Sequence, residues 1–177
     1  MGDQLYFYVS ARGNGRVAGL ATLRRDGFAS MDADASGGTL TTRLVTFSGR
    51  YPFVNLDAPQ GELRVEVLDE NGSPILPFTW VNCVPVRGDR TGAPVRWSGA
   101  SDLSTVAGKK VRLRFHLTGG SVYAFWVSPD ESGASHGYVA AGGPGFTSNR
   151  DTTGKPAAVY PPPVVQTSRQ VVPGEHR

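Results

Sequence analysis

From Gly61 to Gly72 the chain reads GELRVEVLDENG, and Leu63, Val65 and Val67 alternate with Arg64 and Glu66. A period of two puts the apolar set on one face of a strand and the charged set on the other. The pattern returns in KKVRLRFHL, where Val111, Leu113, Phe115 and Leu117 alternate with Arg112, Arg114 and His116. SVYAFWVS is apolar on both faces, which predicts a central strand with Trp126 packed between sheets. Thr118-Gly119-Gly120 joins these two segments and predicts a hairpin. QLYFYVS at 4–10, GLATLRR at 19–25, FASMD at 28–32, TLTTRLVTF and YPFVNLDA add further strand candidates. Asp26-Gly27 suits a tight turn pairing 19–25 with 28–32, and Asn71-Gly72 suits another turn. PFTWVNCVPV and APVRWSG read as two short strands around a polar loop, Arg87 to Gly92. No segment sustains a helical period, although SDLSTVAG allows a single turn.

These segments amount to about eight to ten short strands separated by turn signals, the pattern of an antiparallel β-sandwich with a jelly-roll-like topology. Composition agrees: Gly 23 and Pro 13 among 177 residues favour turns over long helices, and the length suits one domain. After Pro129 the periodicity fades into a loop-like extension, and residues 147–177 read as a disordered tail. The net charge of +3 comes from scattered basic residues, so no nucleic-acid footprint is expected. No stretch approaches the roughly 18 apolar residues of a membrane-spanning helix. The start carries no basic, apolar signal peptide, and localisation stays open. Because MGDQLYFYVS reads as mid-domain sequence, the expectation is a fragment or a truncated reading frame, with any export signal carried upstream in a parent protein. Cys83 is the only cysteine, which excludes an intrachain disulfide and a cysteine metal cluster.

Several motifs carry candidate chemistry. Asp32, Asp34, Ser36 and Gly37 match the first half of a calcium loop, but its twelfth position is Arg43 where a bidentate Glu is needed. Asp32 and Asp34 are therefore the metal candidates of a motif that fails, and an ordinary polar turn is expected. Gly133-Ala134-Ser135-His136-Gly137 spells a nucleophile elbow without the strand-to-helix setting that such an elbow requires. Glycines 13, 15 and 19 imitate a dinucleotide fingerprint, but Asp26-Gly27 arrives too soon for the helix, so a loop is expected and no cofactor. Asn71-Gly72-Ser73 is a formal glycosylation sequon that serves equally as a turn. Arg112, Arg114 and His116 share one face, with Arg64 and Glu66 on a neighbouring strand; the face is either a solvated exterior or a polar ligand surface. Trp80, Trp97 and Trp126 are sugar-stacking candidates when exposed and core residues when not. The candidate ligand set is thus Trp80, Trp97, Arg112, Arg114 and His116.

LATLRRDGFASMDA, GTLTTRLVTFSGRYPFVNLDAPQGELRVEVLDENGSPI and WSGASDLSTVAGKKVRLRFHLTGGSVYAFWVS together resemble the C-terminal β-sandwich region of bacterial proteins related to glycoside hydrolase family 32. The resemblance covers roughly residues 3–146. It implies residues 1–25 as terminal strands left from a five-bladed β-propeller, 26–146 as the sandwich module and 147–177 as the tail. The family's acidic nucleophile motif, N-D-P-N-G-like, and its E-C-like acid motif do not occur; WVNC and DENGSP do not match them. Glycoside hydrolysis ordinarily needs two flanking carboxylates, so no catalytic residue carries over. The resemblance implies a non-catalytic accessory module that supports a propeller or contacts carbohydrate; the tryptophans and the Arg112, Arg114 and His116 face leave a self-standing lectin-like module as the alternative. The implied partners are carbohydrate and a propeller catalytic domain, and an orphan edge strand gives a route to self-association.

Overall fold

The computed structural model describes residues 3–13, 15–138 and 148–154. Among them the chain forms eight strands and no helix: β1 (Gln4–Gly13), β2 (Gly15–Arg24), β3 (Met31–Ala33), β4 (Gly38–Thr41), β5 (Tyr51–Leu68), β6 (Val86–Pro94), β7 (Arg112–Thr118) and β8 (Gly120–Ser128). Every strand pairing is antiparallel, so the fold is all-β and antiparallel as expected. β1 and β2 form a two-stranded sheet of their own, and the remaining six form one sheet in which β5 is central.

β8 pairs with residues 51–57 of β5 and β7 with residues 62–68, while β6 lies along the opposite edge. β7 and β8 therefore follow one another along a single edge of β5, and β4 and β3 follow one another beyond them. Three features fall at one level: the Asp34 to Gly37 turn between β3 and β4, the Thr118 to Gly120 junction of β7 and β8, and Pro59 to Gly61 of the continuous β5, where its pairing passes from β8 to β7. There the Gly119 N–H donates to the Asp34 carbonyl at 2.8 Å. A Cβ on Gly61 would lie 1.7 Å from the Thr118 carbonyl oxygen, so only a glycine lets the two backbones approach this closely.

At this waist the sheet folds over on itself. Phe115 and Phe125 are ten residues apart, roughly 34 Å along a straight strand. Their ring centroids are 4.9 Å apart. The result is a sandwich-like double layer whose two halves share their longest strand. Val54, Leu56 and Ala58 face Leu63, Val65, Val67, Leu113 and Phe115 across one core, closed by Phe78, Trp97, Leu103 and Val106 from the connections.

Several expectations are corrected. KKVRLRFHL and SVYAFWVS do not pair as a hairpin; Thr118-Gly119-Gly120 turns the chain from one layer into the other. Asp26-Gly27 does form a turn, with the Gly27 N–H on the Arg24 carbonyl at 3.0 Å. The strands it joins have different partners: β2 pairs with β1, and β3 with β8. The glycine-rich segment expected as a loop supplies the ends of the β1–β2 hairpin. Arg87 to Gly92, expected as a loop, is the body of β6, an edge strand held through its backbone with no need of an apolar face. PFTWVNCVPV, expected as a strand, is instead a series of turns around the Cys83–Trp97 bridge. Trp126 lies outside the core, stacked on its cross-strand partner Phe53 at 5.5 Å, with its indole N–H on the Gly133 carbonyl at 2.8 Å. Residues 148–154, expected in the tail, pack on the 129–138 segment through the buried Asp151, whose carboxylate accepts the backbone N–H of Ser135 and of Gly154. The remainder of the expected tail, from residue 155, lies outside the described residues.

Candidate functional site

The outer face of the second layer gathers most of the ligand candidates. On β5 and β7, Arg64 stands directly opposite His116 and Glu66 directly opposite Arg114, because the charged members of both alternating patterns point away from the core. On β4, Thr39 and Thr41 continue the two rows. Glu66 is buried, and its Oε1 accepts from His116 Nε2 at 2.9 Å and from Arg114 Nη1 at 3.3 Å. Arg114 also donates through Nε to Thr41 Oγ1 at 3.1 Å. Arg112, the next outward residue on β7, donates to the Thr42 carbonyl at 3.2 Å.

Trp80 closes one end of this face. Its turn is fixed from below: Phe78 is fully buried and gives its carbonyl to the Val67 N–H at 2.8 Å, and Cys83 is buried with Sγ 3.2 Å from the Val65 N–H. Burial pushes the Cys83 thiol up from its ordinary value, so it stays a neutral packing group. Between those two anchors Trp80 is raised onto the surface with 45% of its area exposed. Its ring lies 6.1 Å from the His116 ring, and the Arg64 guanidinium sits 5.3 Å from its centroid. Arg64 is locked by Glu62 Oε1 at 2.9 Å and by the Cys83 carbonyl at 3.1 Å, and Arg87 bonds the other oxygen of Glu62. Hydrogen bonds from Arg64 and Arg87 hold the Glu62 carboxyl below its ordinary value. The arrangement is an aromatic platform followed along β7 by His116, Arg114 and Arg112.

The other candidates fall elsewhere. Trp97 is 5% exposed, its N–H on the Val65 carbonyl at 2.8 Å and its ring edge-on to Phe78. It offers no face to a ligand. Asp34 Oδ1 accepts the backbone N–H and hydroxyl of Ser36 at 2.8 and 2.5 Å, and Asp32 is held below its ordinary value by hydrogen bonds from Ser121 and Ser30. Asp34 therefore serves the turn between β3 and β4, and Asp32 the pairing of β3 with β8. Ser135 Oγ accepts the Gly137 N–H, while His136 Nε2 lies 2.9 Å from Asp130 Oδ2. No serine–imidazole hydrogen bond forms among the described residues. Glu62, Thr41 and Arg87 belong to the site but were not among the candidates. The parity of β4 and β5 would have found the first two; Arg87 was hidden by reading its strand as a loop.

A second surface lies on the β1–β2 ribbon. Leu5, Phe7 and Val9 share one face with Leu23, Ala21 and Gly19 opposite, and Tyr6 and Tyr8 share the other with Thr22 and Leu20. Tyr8 is 91% exposed, and Phe7, Val9, Val17 and Leu20 are exposed as well. Among the described residues neither strand pairs with a third. The ribbon is tied to the sandwich mainly at its base: Arg24 donates to Asn55 Oδ1 at 2.7 Å and to the Leu56 carbonyl at 2.9 Å, and pairs with Asp89. Asn55 Nδ2 returns a bond to the Arg25 carbonyl at 2.7 Å.

Comparison with protein-family models, curated proteins and solved structures finds no match to this chain.

Proposed function

We propose that the chain is a non-catalytic accessory β-sandwich module of a carbohydrate-active protein, akin to the glycoside hydrolase family 32-like proteins its sequence resembles. In this reading the β1–β2 ribbon packs against the propeller domain of the parent protein, and the Trp80 face contacts glycan. The observation that carries the reading is the ribbon, apolar on both faces and, among the described residues, unpaired on both edges. A two-stranded ribbon alone is marginal in water, and an apolar surface of this kind marks a place where another protein element sits. A blade strand pair, covered above and below by its neighbours, has this double-sided pattern. A non-catalytic role is supported by the site's carboxylates. Glu62 and Glu66 lie four residues apart on one strand, roughly 13 Å. That exceeds the roughly 5–9.5 Å separations of glycoside hydrolases, and both groups are tied up in ion pairs.

The test is incubation of the purified chain with fructo-oligosaccharides and aryl glycosides beside a heat-denatured control. No sugar release above the control is expected, and release abolished by Glu62→Gln or Glu66→Gln would overturn the reading. The alternative, a self-standing lectin-like module, is favoured by the exposure of Trp80 beside a fixed polar row. A glycan array separates the two: strong binding by the chain alone, lost in Trp80→Ala, supports the lectin-like module.

A further inference from the structure

We infer that the Trp80 face takes an acidic glycan, with a sugar ring on the indole and a carboxylate or sulfate held by Arg112 and Arg114. The inference rests on the glycan-contact reading above and adds the chemical class of ligand.

Charge makes the first argument. Four guanidinium groups, Arg64, Arg87, Arg112 and Arg114, share this side of the sandwich with two carboxylates, Glu62 and Glu66. Glu62 is taken by Arg64 and Arg87, and Glu66 by Arg114 and His116. Four positive groups less two negative ones leave an excess of two before His116 is counted. Arg112 meets a backbone carbonyl and no carboxylate among the described residues. Past Arg112 the surface hollow is lined by Asp69 and Glu70 with Lys109 and Lys110, whose charges cancel, so the excess stays on the face itself.

Donor geometry makes the second. A guanidinium carries five N–H donors in a plane. Arg114 commits Nε to Thr41 and Nη1 to Glu66, and Arg112 commits Nη1 to Thr42, which leaves the Nη2 group of each for a ligand. Those bonds also orient the two forks in advance, which lowers the ordering cost of binding. Residues two apart on a strand face stand roughly 7 Å from each other, so the guanidinium pair continues the line set by Trp80 and His116 along one face. Planar carboxylates and sulfates match a guanidinium fork with two parallel hydrogen bonds, whereas a neutral sugar gains only the platform and leaves both forks to water. The buried Glu66 has its Oε1 turned toward Arg114 and His116, at 3.3 and 2.9 Å.

The experiment is calorimetric titration of the whole chain with four probes: tetragalacturonate, a κ-carrageenan tetrasaccharide, cellotetraose and an octathymidylate. At least one acidic oligosaccharide is expected to bind roughly tenfold more tightly than cellotetraose, and to weaken severalfold when salt rises from about 0.05 to 0.5 M. Arg112→Gln, which removes the bond to the Thr42 carbonyl and leaves the Glu66 pairs intact, is expected to lower acidic binding roughly tenfold and cellotetraose binding little. Trp80→Ala lowers both, and circular dichroism checks that each variant is folded. The uronate and sulfate arms identify the anion. Equal affinity for cellotetraose and the acidic probes overturns the acidic class and leaves glycan contact standing. Silence with all three sugars overturns both, and binding of the oligonucleotide alone reassigns the face to phosphate.

Discussion

Asn55 shows how much one polar residue can hold. It is fully buried on β5, accepts from Arg24 and donates to the Arg25 carbonyl. Replacing it with Ala would strand one end of each bond beneath the ribbon, and the expected loss is about 1–3 kcal/mol in urea denaturation. Amide exchange across β1 and β2 should quicken in the same variant; unchanged exchange would mean that the ribbon is held by something else. The tryptophans make a second contrast. Trp97→Ala opens a cavity among Phe78, Val65 and their neighbours and is expected to cost about 3–5 kcal/mol. Trp80→Ala removes a half-exposed ring and is expected to cost about 1 kcal/mol or less. If the two variants melted alike, the separation of core from platform argued from burial would fail.

At the scale of elements, the bend in the long strands is the feature that makes one sheet into two layers. Gly61→Ala forces a methyl against the Thr118 and Gly119 carbonyls, and the expected loss is about 1–3 kcal/mol from local overpacking. Much of this architecture was legible in the alternation of residues 63–67 and 111–117, which gave both the core faces and the outward row of Arg64, Glu66, Arg112, Arg114 and His116. The fold-over was not legible. Thr118-Gly119-Gly120 has the same turn chemistry whether the chain reverses within a sheet or crosses between layers. β6 was missed because an edge strand carrying Arg87, Asp89 and Arg90 shows no apolar period. Trp80 and Trp97 were indistinguishable because each sits in a short apolar context, and only tertiary packing decides which one surfaces. The ribbon is an element whose edges carry no charge between Gln4 and Ser10, and charge is a usual guard against edge pairing. Sedimentation velocity of the isolated chain should therefore show average mass rising with concentration. A Phe7→Lys, Val9→Lys variant should stay monomeric, and a wild-type chain monomeric throughout would refute self-association through this edge.

Across the whole molecule, carboxylates fasten both neighbouring strands and local turns, and this sets the response to acid. Glu62 on β5 is held low by Arg64 and by Arg87 of β6. Asp130 is held low by Ser132 and His136, at the segment that covers Phe53 and Trp126. Asp102 is held low by Ser104 in the connection that closes the core. A carboxyl group whose folded value is depressed adds stability that is complete above its unfolded value and lost as pH falls through the folded one. The melting temperature should thus be nearly level from neutral pH down to about 5 and fall progressively below about 4, where ordinary carboxylates protonate. Glu62→Gln removes one of these groups and should make the acid slope shallower while lowering the melting temperature at neutral pH. Because the Arg87 side of that pair is open to solvent, about 0.5 M salt should narrow the difference between wild type and variant. A melting temperature that held constant or rose from pH 7 to pH 3 would show that these carboxylates do not fasten the fold.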